Sequence, residues 1–417
     1  MLAALYSVSS LLLGVAVLIT GSGLFGTLLG VRAGLEGFAD VVIGLVMSAY
    51  FVGFFLGTFF CPAIVRRVGH IRAFAMFAAV ASATAIVHAL AIDPWLWALL
   101  RVLNGGCLVG LFMVVESWLN AHSPDDRRGQ VFSAYTAIAL FALALGQVLI
   151  ATADPSGFAL FGIVSILFSL ALVPVAFTRV EQPKPVSVPH LGLRSLYEAA
   201  PAGVAGAFAA GLAAGALWGM GPPFVQRIGL ETTAIAGFMS AAVLGGAMLQ
   251  WPIGRFSDRG DRRYVLVAVC AGGALAALAA LGATYWSVAA LMACMFVYGG
   301  LAFSVYPVSV AFVNDRLARE HALAGSSGLL LVYGVGAVIG PAFAGSAMEA
   351  FGPRTLPVFF AVVLTAMAGF AYYRLRKAPE APEAPHTKFV PMMRTSAAAL
   401  QMVAGGEQDE AAPAAER

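Results

Sequence analysis

Gly254-Arg255-Phe256-Ser257-Asp258-Arg259-Gly260-Asp261-Arg262-Arg263 is the stretch on which the reading of the whole chain turns. Four arginines and two aspartates stand within ten residues, and long apolar runs lie on both sides. Charge at this density cannot sit in hydrocarbon, where each ionised side chain at mid-depth costs at least ~2.5 kcal/mol. The segment is therefore a short loop at a membrane surface, and its flanks are membrane spans. In a soluble protein the same residues would be an ordinary solvated turn; the apolar flanks argue against that.

Composition carries the same message. Of 417 residues, 60% are hydrophobic and 11% charged. A soluble domain carries about 25% charged residues, so this chain cannot cover a water-facing surface. The apolar runs are continuous rather than alternating, which points to helices that satisfy their own backbone hydrogen bonds. The 46 glycines suit close helix–helix approach in lipid. A net charge of +3 gives no reason to expect nucleic acid. Cys61, Cys107, Cys270 and Cys294 fall in or beside apolar runs and read as small packing residues. No metal-ligand spacing and no nucleotide-binding loop occurs, so no metal, no cofactor and no ATP-driven step is expected.

Twelve apolar runs cover roughly 6–30, 41–64, 73–92, 95–119, 130–152, 157–178, 201–225, 234–253, 264–283, 286–313, 325–349 and 355–373. Each approaches the ~20 residues that cross a bilayer. The first lacks a basic start and a cleavage site and reads as span 1. Twenty Lys and Arg residues lie on one side of the membrane, counting the tail. Arg32, Arg227 and Arg354 lie on the other, and Arg101 lies inside span 4. That bias places both termini in the cytoplasm. Residues 179–200 are polar and proline-rich and read as a cytoplasmic linker between 1–178 and 201–377; the tail 378–417, rich in Ala, Pro and Glu, reads as disordered. The halves repeat: Ser48-Ala49, Gly53 and Arg67 recur as Ser240-Ala241, Gly245 and Arg259, 192 residues on. Gly105-Gly106, Asn120 and Gly146 recur as Gly299-Gly300, Asn314 and Gly340, 194 residues on.

The loop at 254–263 resembles G-x-x-x-D-R-x-G-R-R, the loop motif of the major facilitator superfamily of secondary transporters. Gly254, Asp258, Arg259, Arg262 and Arg263 fit it, and Asp261 replaces the second glycine. Its first-half counterpart keeps Arg67 and Gly69, with Pro62 and Arg66 in the glycine and aspartate places. Arg101-Val102-Leu103-Asn104-Gly105 resembles the family's R-x-x-Q-G, with Asn104 for glutamine. Glu116-Ser117-Trp118-Leu119-Asn120, Gln250-Trp251-Pro252-Ile253-Gly254-Arg255, Asn314-Asp315-Arg316 and Tyr333-Gly334 are similar to the YcaD-like bacterial subgroup. The resemblance covers about residues 5–376. It implies an all-α membrane protein of twelve transmembrane helices, in two pseudo-symmetric six-helix bundles that rock about a central cavity. It also implies that Asp258 latches onto the start of span 5 near Gly129, a placement worth roughly 0.3–1 kcal/mol for a carboxylate at a helix N-terminus. Arg66 cannot do the same at span 11. The alternative is that these basic loops only set topology.

Several side chains are candidates for substrate or coupling. Arg101 stands about two turns inside span 4 and either faces a watery cavity or snorkels to the surface. The resemblance gives Arg101 and Asn104 a part in proton coupling or substrate binding. Glu116 is fifteen residues further on, ~22 Å along the helix, too far to pair with Arg101. It either pairs with Arg66 or Arg67 as a gate or carries a proton. Span 5 offers Tyr135 and Gln147. Phe25 and Trp218 occupy repeat-related places, and Trp218 either packs a substrate or packs the bundle. Gly221-Pro222-Pro223, before Gln226, is expected to break span 7. Tyr298, Tyr306 and Tyr333 are cavity hydroxyls or core residues, and His88 reads as core. Asp315 is expected to pair with Arg262 or Arg263.

The expectation is a secondary transporter, not an enzyme, in a bacterial inner membrane. It moves a small organic solute with protons, drug-like or amphipathic export ahead of metabolite or sugar uptake, and works as a monomer in the bilayer. A sensor or scaffold is the reading from another class; short loops disfavour it.

Overall fold

The computed structural model describes residues 9–123, 128–176, 192–318, 321–377 and 389–391. Twelve helices in them are long and apolar enough to cross a membrane: α1 (Ser9–Leu35), α2 (Asp40–Val68), α3 (His70–Leu90), α4 (Pro94–His122), α5 (Arg128–Thr152, its last turn 3-10), α6 (Ala159–Ala176), α7 (Pro201–Arg227), α8 (Thr232–Arg259), α9 (Arg262–Ala283), α10 (Val288–Asn314), α11 (Ala322–Phe351) and α12 (Thr355–Lys377). No strand occurs among the described residues.

Local chemistry sets the helix ends. Pro94 opens α4, and the Asp93 carboxylate caps it by accepting the Leu96 N–H at 2.7 Å. Asp261 caps α9 in the same way, accepting the Arg263 N–H at 2.9 Å. Gly69, at φ +84°, both ends α2 and starts α3, a conformation that a side chain would resist.

Packing follows the repeat. α2 lies on α4 as α8 lies on α10, α1 on α5 as α7 on α11, and α3 on α6 as α9 on α12. Glycines let backbones meet at corresponding places. A Cβ on Gly53 would stand 1.9 Å from the Val102 carbonyl oxygen, and one on Gly245 1.8 Å from that of Phe296.

The face carrying the α2–α3, α8–α9 and α10–α11 connections is the basic one. At the opposite face the two halves are joined. Arg227 Nε lies 3.0 Å from Asp40 Oδ1, and its Nη2 donates to the Phe38 carbonyl at 2.8 Å. The Asp40 N–H donates to Glu349 Oε2 at 2.7 Å, and the Ala342 N–H to Ser48 Oγ at 3.2 Å. Ser240 Oγ of α8 reaches the Ala144 carbonyl of α5 at 3.5 Å. At the basic face no atom of the described residues lies within 4 Å of a Cβ placed on Gly129, at the start of α5.

One sequence expectation changes, and the linker and tail are described in part. Pro222 and Pro223 do not break α7, which runs on to Arg227. They fall in its last turns, where few carbonyls lose a partner, and Pro223 packs on Gly30. The end of the linker is ordered as a short helix, Leu193–Ala199; its remainder lies outside the described residues. Of the tail, Phe389–Pro391 is placed against α8, and the rest lies outside the described residues.

Candidate functional site

Between the halves lies an open cavity of about 1390 Å³, mouth included, lined by α1, α2, α4, α5, α7, α8, α10 and α11. Among its described lining residues Arg101 is the charged one, and none is a carboxylate. Arg101 is 5% exposed. Its guanidinium carbon sits 4.3 Å from the centroid of the Tyr50 ring and 5.9 Å from that of Phe25. A cation over an aromatic face gains about 0.5–2 kcal/mol where water is scarce, which offsets part of the cost of holding arginine in a membrane helix. Across the cavity Trp218 stacks on Phe303, with centroids 5.9 Å apart and planes within 7°. Tyr306 leans on Tyr333 with centroids 5.0 Å apart. The Tyr306 hydroxyl is buried and has no hydrogen-bond partner among the described residues. Gln250 Nε2 donates to the Phe303 carbonyl at 3.1 Å.

The cavity gathers Arg101, Asn104, Tyr135, Trp218, Tyr306 and Tyr333 from the sequence candidates. Glu116 and Gln147 stand one layer behind. Glu116 is 0% exposed and accepts the Tyr135 hydroxyl at 2.6 Å, whereas Arg66 and Arg67 point to the exterior. The carboxylate is thus one hydroxyl away from the cavity, not part of a surface gate with those arginines. Gln147 is hydrogen-bonded to Thr27 and donates to the Gly23 carbonyl at 3.2 Å, tying α5 to α1. Asn104 Nδ2 donates to Thr84 Oγ1 at 3.4 Å.

Three candidates lie elsewhere. Phe25 points into the first half, edge-on to His88, Phe161 and Phe168. Tyr298 stacks on Phe360 in the core of the second half, with centroids 4.8 Å apart. Gln226 packs on Gly34 at the joined face. Sequence reasoning passed over Tyr50, Thr27, Gln250 and Phe303. Gln250, a lone amide in an apolar run, was the one that polarity alone could have flagged.

At the basic face Arg262 lies 2.9 Å from Asp315 and 3.3 Å from Asp258, joining the ends of α8 and α10 through α9. Arg263 clamps Asp261 at 2.7 Å. Burial pushes the Asp261 carboxyl up, but hydrogen bonds from Arg263 and the charges of Arg263 and Arg316 more than offset this and hold it below the usual aspartate value. Among the described residues Asp258 has no partner on α5. Its Oδ1 accepts the Phe389 N–H at 2.8 Å instead.

The family model described as Major Facilitator Superfamily matches residues 11–322 and 203–406. The chain belongs to the major facilitator superfamily. Members of this superfamily are membrane transporters of solutes, and the cavity between the halves is where such a protein would hold one. The chain is 29% identical over 359 residues to the uncharacterized MFS-type transporter YcaD of Escherichia coli O17:K52:H18, across 85% of this chain and 92% of that one. It is 29% identical to the MFS-type transporter Ent638_1421 of Enterobacter sp. strain 638, across 89% and 96%. Two solved transporter structures share the fold. The nucleoside transporter NupG matches with a TM-score of 0.73 at 15% identity, over 89% of this chain and 99% of that one. A bacterial homologue of the human lysosomal transporter Spinster, inward-facing and occupied, matches at 0.68 with 16% identity, over 90% and 99%.

Proposed function

We propose that this superfamily member is a proton-coupled exporter of amphipathic organic solutes that carry an acidic group. The observation behind this reading is Arg101, held over Tyr50 in a cavity whose described lining offers aromatic faces and no carboxylate. An anionic group would pair with the guanidinium, and a flat apolar body would lie on Trp218 and Phe303. Glu116, which accepts the Tyr135 hydroxyl one layer behind the cavity, is the proton carrier in this reading. The positive-inside bias puts the basic face and both termini in the cytoplasm of a bacterial inner membrane. In this reading the cavity loads its solute from the cytoplasmic side. The cavity is complete within one chain, so a monomer suffices.

The test is ligand-dependent thermal stability of the purified protein with organic anions, neutral amphipaths, nucleosides and sugars at pH 6 and pH 8. A solute at 100 times its Kd adds about 2.7 kcal/mol. Aromatic acids should stabilise the protein, and Arg101→Ala should abolish the effect. Stabilisation by sugars or nucleosides alone would replace this reading with uptake of a neutral metabolite.

A further inference from the structure

A groove at the basic-face end of α8 is lined by Trp251, Gly254, Arg255, Asp258 and Arg259, and Phe389 and Pro391 of the tail close it. Phe389 is 9% exposed although it lies well past the end of the last span. Its ring lies directly on Gly254, where a Cβ would come 2.1 Å from Phe389 Cδ1. Its N–H holds the Asp258 carboxylate at 2.8 Å, on the same oxygen that Arg262 reaches at 3.3 Å. Glycine at 254 and an acceptor at 258, one helical turn apart, thus form a seat for one aromatic ring and one backbone N–H.

The seat lies on the seam side of α8. Gln250, one turn before Gly254, lines the cavity. Val243, eleven residues or about three turns before it, packs against Leu140 and Ala144 of α5. Gly254 and Asp258 therefore extend the stripe with which α8 faces the other half. Where the halves are joined, α8 already touches α5 through Ser240. Rocking about the cavity would bring the basic-face ends of these same two helices together.

We propose that this groove is a docking site for the chain's own Phe389-Val390-Pro391, and that the segment must leave it before the basic face can close. Docked, the ring covers Gly254 on the seam-side stripe of α8, and the backbone N–H occupies the Asp258 carboxylate that would otherwise be open to the opposite half. The tail thereby favours the conformation open at the basic face. The second clause rests on reading the protein as an alternating-access carrier; the docking does not.

Two measurements on the full-length protein test it. The first is amide hydrogen exchange at Phe389, which should be protected in the natural sequence and lose protection in Gly254→Ala. The second is the thiol-labelling rate of Ser48→Cys in a background without the natural cysteines. Position 48 is buried in the joined seam, so its labelling reports the opposite conformation even when that state is rare. Phe389→Ala leaves every span intact and should raise the rate roughly ten- to hundredfold, the scale set by burying one phenylalanine ring. Adding Gly254→Ala should raise it little further. An unprotected Phe389 amide in the natural sequence would overturn the docking, and a rate unchanged by Phe389→Ala would overturn the restraint. If position 48 labels in no variant, with or without solute, while Phe389 is protected, the docking stands and alternating access fails.

Discussion

Arg101 is the residue on which recognition depends. Its charge is placed by stacking on Tyr50, 4.3 Å from the ring centroid, so charge and shape can be separated. Arg101→Lys keeps the charge but loses the flat guanidinium face, and affinity for an aromatic acid should fall about tenfold. Arg101→Ala should lose roughly ten- to 150-fold, because a charge-assisted pair contributes about 1.5–3 kcal/mol. Isothermal titration with the same ligand distinguishes them; equal affinity in both variants and the natural protein would place the anion elsewhere. Glu116→Gln keeps an acceptor for the Tyr135 hydroxyl and removes the proton cargo. Binding should persist, while gradient-driven transport in proteoliposomes should lose its dependence on a pH step. Transport still driven by that step would clear Glu116 of coupling. At this scale the sequence was informative where polarity was out of place. Arg101, Asn104 and Tyr135 stood out against apolar surroundings, and all three line the cavity. Aromatic residues were ambiguous, since Phe25 and Tyr298 have the same composition around them as Trp218 and Tyr306 yet turn into the bundle cores.

The helices explain that ambiguity. Those around the cavity are apolar on nearly every side, so no stripe shows which way a given residue points. Length and position of the spans are legible from hydrophobicity, whereas rotation is set by packing against neighbours. Repeated glycines recover part of it. Gly105 meets the Tyr50 carbonyl and Gly299 that of Ala242: a Cβ would stand 2.0 and 2.1 Å away. Tyr50 and Ala242 are themselves related by the 192-residue offset. These glycines mark where α2 crosses α4 and α8 crosses α10. Gly53→Ala and Gly245→Ala should each cost about 1–3 kcal/mol, because the obstructing atom is a backbone carbonyl that cannot rotate away. Gly369→Ala in α12, with nothing within 4 Å, serves as the control and should be neutral or slightly stabilising. Melting temperatures in one detergent decide it; a Gly53→Ala protein as stable as Gly369→Ala would mean that the crossing is looser than its geometry.

For the whole molecule, the question is what holds one face shut while the other stands open. At the joined face Arg227 reaches both Asp40 and the Phe38 carbonyl across the seam, and Glu349 takes the Asp40 N–H. The Arg227–Asp40 pair is about a third exposed on the arginine side and nearly buried on the aspartate side, at 35% and 9%. Its worth is therefore nearer to about 1 kcal/mol than to the several of a fully buried pair. Removing Arg227 also leaves the Asp40 carboxylate in the seam without that cation, so Arg227→Ala should raise labelling at Ser48→Cys about five- to tenfold. Adding Asp40→Asn should return part of the increase by removing the stranded charge. Phe389 acts at the other face, with no shared partner. If both contacts favour the same one of two conformations, their effects on a single equilibrium should multiply, as for distant independent sites. A double variant Arg227→Ala, Phe389→Ala labelling at the product of the two separate increases would show two latches on one rocking motion. A rate no higher than the larger single increase would show that one of them acts only locally, and that the halves do not move as rigid bodies.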